Sequence, residues 1–585
     1  MASLPLSCYT TTQFSSSIST QPPPRQRFSA QTPPPTRRFQ VRSTGGPNNE
    51  KGENSPPNGG KFDRRNLLMG MGGLYSAANL VPTDSPASAT PISSPDLSKC
   101  SRGTDLSTQQ PLDVNCCPPV VDGITNYKLP PVTKMRFRPA AHLAGKEYIA
   151  KYEKAVAAMK ALDKTDPTDP RGYSQQANVH CAYCNLTYEQ SEDSDTKLQI
   201  HNSWHFYPWH RWYLYFYERI LGSLIDDPTF GLPFWNWDNP PGMVMPDMFA
   251  VTTSPLYDAR RNLEHLPPAA ADLNFASKPT TDPSKIVTNN LTTMYGEMVR
   301  NVSKLEDFYG AKYVVGTAPD PGPGTVERGS HTALHVWVGE NTPTGEDMGN
   351  FYSAGRESLF YSHHANIDRL WSTWQGLRGK KPKGFKDKDW LDATYLFYDE
   401  NKNLVQVNVK DALDNEKMGY TYQKVDNPWV NYRPKPKVKK SKAAKNSKAP
   451  TATDTIFPVK LDKVVKVLVD RPRKSRSKKD KEDEEELLVI EGIEVDNSKF
   501  VRFEVFINDE DDKPEDLRDK AEFAGAYSQV PHKNSTRTKS KIRLGLTELL
   551  EDLDVDDDDQ ILVALVPKAG GEDITIGGIK IIYAS

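Results

Sequence analysis

Beyond Pro139, apolar residues recur every three to four positions: Tyr148, Tyr152, Val156 and Met159 mark a helix over Glu147 to Leu162. Trp212 to Ile225 reads as an aromatic-rich apolar helix with a polar stripe, and further helical patterns surround His331 to Val338 and Asn366 to Leu377. The rhythm changes after Tyr432. From Pro434 to Pro450, seven lysines and three prolines stand with no bulky apolar residue except Val438, which predicts a solvated linker. Beyond it, Val464 to Val469, Leu487 to Val495, Phe500 to Ile507, Lys541 to Leu546, Ile561 to Val566 and Ile574 to Tyr583 alternate apolar and polar residues. Six such strands predict a β-sandwich or jelly-roll domain. Gly577-Gly578 is a candidate hairpin turn between the halves of the last one. The run Arg471 to Glu486 flips from basic to acidic and reads as a surface loop. Ahead of the first helix, a Pro-rich stretch reaching about Pro139 carries Cys116-Cys117 and reads as an extended segment stapled onto the body.

At 585 residues the chain exceeds the size at which a single core stops growing, so two or three folded units are expected. The formal charge of -2 is a near balance of 74 basic and 76 acidic residues, which gives no global case for a nucleic-acid partner or an anionic membrane. The first 49 residues lack Asp and Glu, are dense in Ser, Thr, Gln and Pro, and carry five arginines, the composition of an organelle transit peptide. Arg64-Arg65, an apolar run from Leu67 to Val81 and Ala87-Ser88-Ala89 then form a twin-arginine export signal. The run is too short and too glycine-broken to span a bilayer of about 20-residue depth, so no stable membrane insertion is expected. The two signals in series imply passage through the stroma of a chloroplast into the thylakoid lumen. The chain thus divides into targeting residues 1–89, a helical domain over 90–432, a Lys/Pro-rich linker over 433–455 and a β-rich domain over 456–585.

Of six cysteines, Cys8 lies in the targeting segment, leaving an odd set of Cys100, Cys116, Cys117, Cys181 and Cys184. Two disulfides leave one thiol over, which asks for a specific explanation. Cys181-Ala182-Tyr183-Cys184 has neither a second ligand pair nor a βαβ context, which excludes a zinc or thioredoxin reading. Most of the 11 histidines fall in three windows: His180; His201, His205 and His210; His331, His335, His363 and His364. His331-xxx-His335 places two imidazoles one helical turn apart on one face. No HExxH glutamate and no Glu-xx-His ladder accompanies it, so neither a zinc protease nor a di-iron bundle fits. Six neutral imidazoles suit two soft-to-borderline metal ions, and copper fits oxygen chemistry best.

From about Cys100 to the C-terminus these residues resemble the type-3 copper proteins, and specifically the plant polyphenol oxidases, or catechol oxidases, of the tyrosinase family. The motifs carrying the resemblance are His180-Cys181-Ala182-Tyr183-Cys184, His201-Asn202-Ser203-Trp204 and Phe206-Tyr207-Pro208-Trp209-His210-Arg211, followed by His331-Thr332-Ala333-Leu334-His335 and Leu359-Phe360-Tyr361-Ser362-His363-His364-Ala365-Asn366-Ile367-Asp368-Arg369. The resemblance implies a mainly α catalytic domain built on a four-helix bundle that holds a dicopper centre, then a jelly-roll-like β-sandwich that shields it. His180, His201 and His210 would hold one copper and His331, His335 and His364 the other, with His363 as a neighbour. It also implies a thioether from Cys184 to a ring carbon of His201, and disulfides Cys100 to Cys116 and Cys117 to Cys181.

The implied activity is oxidation of o-diphenols to o-quinones by dioxygen. Glu327 matches a carboxylate that holds a water and helps deprotonate phenols, and Phe351 matches a gate aromatic able to stack on the substrate ring. Thr332 and Val336, each directly after a ligand histidine, favour diphenol oxidation over tyrosine hydroxylation. Glu357-Ser358 departs from the Asp-Pro of many members, which leaves the substrate range less defined. Asp389-Trp390-Leu391 and Tyr420-Thr421-Tyr422 resemble the end of the catalytic core, and Lys499-Phe500-Val501 the shielding domain's motif. The linker is then the expected site of an activating protease. An aurone-forming chalcone oxidase shares all these motifs, and a tyrosinase with monophenolase activity is a further alternative. A reversible oxygen carrier shares the copper ligands.

Overall fold

The computed structural model describes residues 90–102, 114–121, 123–277, 282–377, 386–452, 456–509, 517–532 and 537–584. The targeting signals read in residues 1–89 lie outside them.

The helical domain is assembled from α1 (Lys146–Thr165), α2 (Tyr173–Cys184), α3 (Phe206–Leu224), α4 (Ile286–Tyr295), α5 (Leu305–Tyr309), α6 (Thr332–Val338) and α7 (Ser358–Leu377). The periodicity found α1 and α6 closely but truncated α3 and α7, because their first turns are buried all round and carry no polar stripe. It gave no sign of α2 for the same reason, since Gln176 to Cys184 are buried without exception. Short strands β1 (Ile124–Asn126), β2 (Arg136–Arg138), β3 (Glu189–Gln190), β4 (Asp193–Lys197), β5 (Thr394–Tyr398), β6 (Leu404–Asn408) and β7 (Tyr420–Tyr422) line the helices as small sheets β1-β6-β5, β2-β7 and β3-β4.

Two arginines of β2 tie these layers together. Arg138 donates to Glu218 of α3 at 2.7 Å and to Asp368 of α7 at 3.1 Å, while Arg136 reaches Glu218 at 2.6 Å. Arg211 of α3 also holds Asp368, at 2.5 Å, and Tyr420 donates to it at 2.6 Å, with Tyr422 bonded to the same carboxylate. The Tyr-Thr-Tyr motif is thereby explained: both phenols complete a buried ion network that a lone Asp368 charge would make very costly.

The C-terminal domain consists of two antiparallel sheets. One has the order β13-β10-β15-β8, with β16 also on β10; the other runs β12-β11-β14-β9. Their strands are β8 (Val459–Lys460), β9 (Val465–Asp470), β10 (Glu485–Asp496), β11 (Val501–Ile507), β12 (Phe523–Gln529), β13 (Arg537–Gly545), β14 (Gln560–Ala569), β15 (Ile574–Ile576) and β16 (Gly578–Ala584). Val467, Leu488, Phe503, Ile542, Leu565 and Ile574 from both sheets share one core.

Three expectations need correction. Gly577 does not reverse the chain: β15 and β16 both run antiparallel to β10, and Gly577 sits opposite Gly492 at a bulge where a Cβ on Gly577 would come 3.1 Å from Gly492 Cα. The linker is not free in solvent. Lys437 N–H bonds the Glu522 carboxylate at 2.8 Å, Lys440 N–H bonds Leu553 O, and the buried Ala444 packs on Leu468 and Leu562, while the lysine side chains stay exposed. The Arg471 to Glu486 run contains a helix at Lys478–Asp483, and its end residues are buried partners, Arg471 Nε to Glu486 Oε1 at 2.8 Å.

The disulfide pairing differs as well. Cys100 bonds Cys117 and Cys116 bonds Cys181, the reverse of the implied pairs. Successive side chains of an extended segment point opposite ways. Cys116, fully buried, faces α2, while the partly exposed Cys117 turns outward to Cys100. Cys184 is left as the buried free thiol.

Candidate metal centre

Four helices and one loop bring the histidines together. His180 lies on α2, His201 in the loop before α3, His210 on α3, His331 and His335 at the start and middle of the α6 segment, and His363 and His364 on α7. All seven are at most 2 % exposed. His180, His201 and His210 bring one ring nitrogen each within 4.8 Å of one another, and so do His331, His335, His363 and His364. The two sets abut: the His210 ring stacks on His364 at 4.2 Å, and His335 Nε2 lies 3.4 Å from His364 Nε2.

Backbone carbonyls fix the tautomers. Nδ1–H of His210 donates to Phe206 O at 2.8 Å, that of His335 to Met348 O at 2.7 Å, and that of His331 to Glu327 O at 3.1 Å. The Nε2 lone pairs of His210 and His331 point inward with no protein partner, as a metal ligand requires. Burial pushes every one of these imidazoles below its ordinary range, His210 to about 3 and His335 to about 4, so they are neutral at pH 7. Phe360 and Phe206 fill the gaps, 4.3 Å from His364 and 4.8 Å from His331. An all-imidazole, neutral, dry donor set of this kind fits soft-to-borderline ions and not magnesium or calcium.

His205 belongs to the frame instead. Its Nδ1 meets Tyr395 Oη at 2.7 Å, and its other nitrogen lies against Trp204 and Tyr313. His363 stays beside Trp237 and the three other histidines of its set. The remaining residues of the α7 motif are structural: Asn366 and Arg369 both bond Asp238, at 2.8 and 2.6 Å, while Asp368 anchors the network described above.

Around His201 the loop is held by side chains that sequence reasoning missed. Gln199 Oε1 accepts from His201 N–H at 3.0 Å, and Gln199 Nε2 donates to Cys184 O at 3.0 Å, so one carboxamide bridges both residues of the implied thioether. Asn202, at φ 55°, donates its N–H to Glu327 Oε1 at 2.6 Å. Trp390 of the Asp-Trp-Leu motif clamps the same loop through Trp204 O at 2.8 Å. Glu327 opens a π-turn, Glu327–His331, and burial pushes its carboxyl well above the usual range. Within that turn, a Cβ on Gly329 would fall 1.8 Å from Glu297 Oε1, which only glycine avoids. The Thr332 hydroxyl is turned back onto Glu327 O at 2.8 Å. Glu357 is paired with Arg261 Nε at 2.7 Å and starts α7.

The C-terminal domain closes over this centre. Phe351 lies 4.0 Å from the His201 ring and donates its N–H to Pro531 O at 3.1 Å, while the His532 ring packs against Phe351 at 4.7 Å. Val530, buried, joins the core of the helical domain. β12 is bonded beside the π-turn through Ser528 Oγ to Arg328 O at 2.6 Å. A cleft of about 610 Å3 remains between the domains, bordered by Val336, Asn341, Pro343, Lys499, Phe500 and Pro531. β12 and the segment after it escaped detection because Phe523-Ala-Gly-Ala-Tyr-Ser-Gln is too weakly apolar to alternate. The available signal was His532, the single histidine of that domain.

The fold and the paired histidine sets define a tyrosinase-type protein: residues 170–377 match the common central domain of tyrosinase. Residues 384–435 match the polyphenol oxidase middle domain and 457–583 the chloroplastic polyphenol oxidase C-terminal domain, so the chain belongs to the plant polyphenol oxidase family and is an enzyme of that family. It is 50 % identical to polyphenol oxidase II, chloroplastic, of Ipomoea batatas over 98 % of this chain and 96 % of that one. With catechol oxidase B, chloroplastic, of Solanum tuberosum it shares 46 % identity over 91 % of each. A solved latent aurone synthase (polyphenol oxidase) superposes with a TM-score of 0.79 at 42 % identity, covering 85 % of this chain and 99 % of that one.

Proposed function

We propose that this chain oxidises catechols to o-quinones at a pair of copper ions, two turnovers reducing one dioxygen to two waters, and that it is made as a latent proenzyme. The observation that carries the reading is the convergence of buried, neutral imidazoles, with Nδ1 of His210, His331 and His335 anchored on backbone carbonyls. His180, His201 and His210 would hold one copper and His331, His335 and His364 the other; bound there, the metal pair supplies the electron exchange between dioxygen and the phenol.

The chain's own groups do the rest. Phe351 offers its ring face to a flat substrate. Glu327, kept protonatable by burial, holds and passes a phenolic proton. Thr332, its hydroxyl donated to Glu327 O, and apolar Val336 offer no free side-chain donor at those two positions to orient a water on a monophenol, which favours diphenols. The thioether between Cys184 and His201 would fix one ligand ring. We read the histidine-bearing helices as a four-helix bundle and the two sheets as a jelly-roll-like shield. Val530, Pro531 and His532 then occupy the substrate approach until a protease cuts at the exposed lysines. The relatives' chloroplastic names agree with the N-terminal composition, and the twin-arginine segment points further, to the thylakoid lumen.

The test is oxygen uptake with catechol, followed together with quinone absorbance, before and after limited trypsin treatment. Joint uptake and quinone formation, raised by trypsin and abolished in His335→Ala, supports the reading; oxygen binding without turnover replaces it with a carrier. The aurone synthase likeness favours one second reading, in which a chalcone is the preferred substrate. Product analysis with chalcone against catechol separates the two.

A further inference from the structure

The interface of the two domains encloses a cavity of about 20 Å3, lined by Thr292, Arg300 and Arg328 from the helical domain and by Arg502 of β11. A single water needs roughly 10–15 Å3, so the space admits a water or a small ion. Arg300, Arg328 and Arg502 are 6 %, 3 % and 1 % exposed. Nε and Nη1 of Arg300, Nε and Nη1 of Arg502, and Thr292 Oγ1 are buried without a hydrogen-bond partner. Their other contacts are accounted for: Arg300 Nη2 on Phe523 O at 2.5 Å, Arg502 Nη2 on Asn274 Oδ1 at 3.2 Å, Arg328 Nε on Ala526 O at 3.1 Å.

Negative charge is short. Glu297 is the one carboxyl among the cavity's lining residues, and both its oxygens are taken by Ser330. Burial pushes Glu297 up to about 8, which removes most of its charge at neutral pH. Glu504 lies 3.6 Å from Arg502 but is engaged by Arg518 at 2.8 Å. Three buried guanidinium groups that share so few carboxylates are costly, and a small monovalent anion is a fitting partner.

We propose that one chloride ion occupies this cavity, held by the inward N–H groups of Arg300 and Arg502. Because these arginines come from different domains, the complete site exists only while the domains are docked, and chloride then favours the docked form by mass action. That consequence rests on the latency reading; the site itself does not. At a hundred times its Kd, the ion would shift the docking equilibrium by roughly 100-fold.

The direct test is a crystal of the full chain with bromide in place of chloride, measured at the bromine edge. A peak in contact with both arginines is expected; a cavity without one, or bromide only at the histidines, overturns the proposal. In solution, sodium chloride against sodium gluconate at equal ionic strength should raise Tm saturably in the wild type and not in Arg502→Gln; equal responses overturn it. Should that variant fail to fold, the bromide map decides alone. Slower trypsin activation in chloride supports the consequence for latency, whereas bromide in the cavity with no change in activation rate refutes that consequence and leaves the site standing.

Discussion

His532 Nε2 stands 2.6 Å from Gln199 Nε2, so the C-terminal domain's one histidine accepts a hydrogen bond from the carboxamide that bridges Cys184 and His201. The Gln199 amide can only donate, which leaves Nε2 of His532 unprotonated and its Nδ1–H directed at Asn497 O, 3.3 Å away. Burial pulls His532 below its ordinary value of 6.5, against the opposing field of Asp320. A histidine with a depressed folded pKa contributes docking stability that is whole above about 6.5 and lost as pH falls. The nearby carboxyls of Asp320 and Glu327 are raised by burial and act with the opposite sign. The His532 part is therefore read by difference. Wild type should lose Tm more steeply than His532→Gln as pH drops below 6.5, and His532→Ala should show several-fold higher catechol oxidation before any cleavage, since an orphaned Gln199 amide costs about 1–3 kcal/mol.

Glu327 is expected to act on protons and not on metal retention. Glu327→Gln keeps the hydrogen bond to Asn202 N–H through its carbonyl and should keep its copper content while kcat falls by roughly 100-fold or more. Metal analysis beside steady-state kinetics checks both halves, and a loss of copper in proportion to activity would sink the proton role.

Asp368→Asn leaves Arg138 and Arg211 partly uncompensated in the core, and one broken buried pair costs about 3–5 kcal/mol. Chemical denaturation should report that loss. Tyr420→Phe removes a single donor to the same carboxylate and should cost about 1.5–3 kcal/mol.

The two disulfides can be told apart chemically. Cys117→Ser should free only Cys100, and Cys116→Ser only Cys181, as read by alkylation and mass mapping of the unreduced chain. Losing either bond should cost about 2–5 kcal/mol.

The chemistry of this chain was more legible than its architecture. Histidine spacing pointed to the metal centre because ligands recur at intervals set by helix geometry, which a sequence displays directly. Helix α2 stayed hidden although it carries His180, because a helix buried on all sides has no polar face to betray its period. The choice between Cys116 and Cys117 as partner of Cys181 depended on which way an extended segment turned, and no spacing encodes that. Gln199 and His532 lie hundreds of residues apart and meet only through domain docking, so their contact has no local signature. The linker's lysines suggested solvent, while Ser441 and Ala444 between them are buried against the β domain.

That last feature bears on how cleavage works. A cut among the exposed lysines severs one covalent tether but none of the bonds from Arg300, Asn301, Phe351 and Arg328 that join the domains. An intramolecular contact with an effective concentration near the millimolar range becomes a bimolecular one. Release of the β domain is then governed by dilution, so a freshly cut enzyme kept concentrated would remain largely silent and awaken as it spreads.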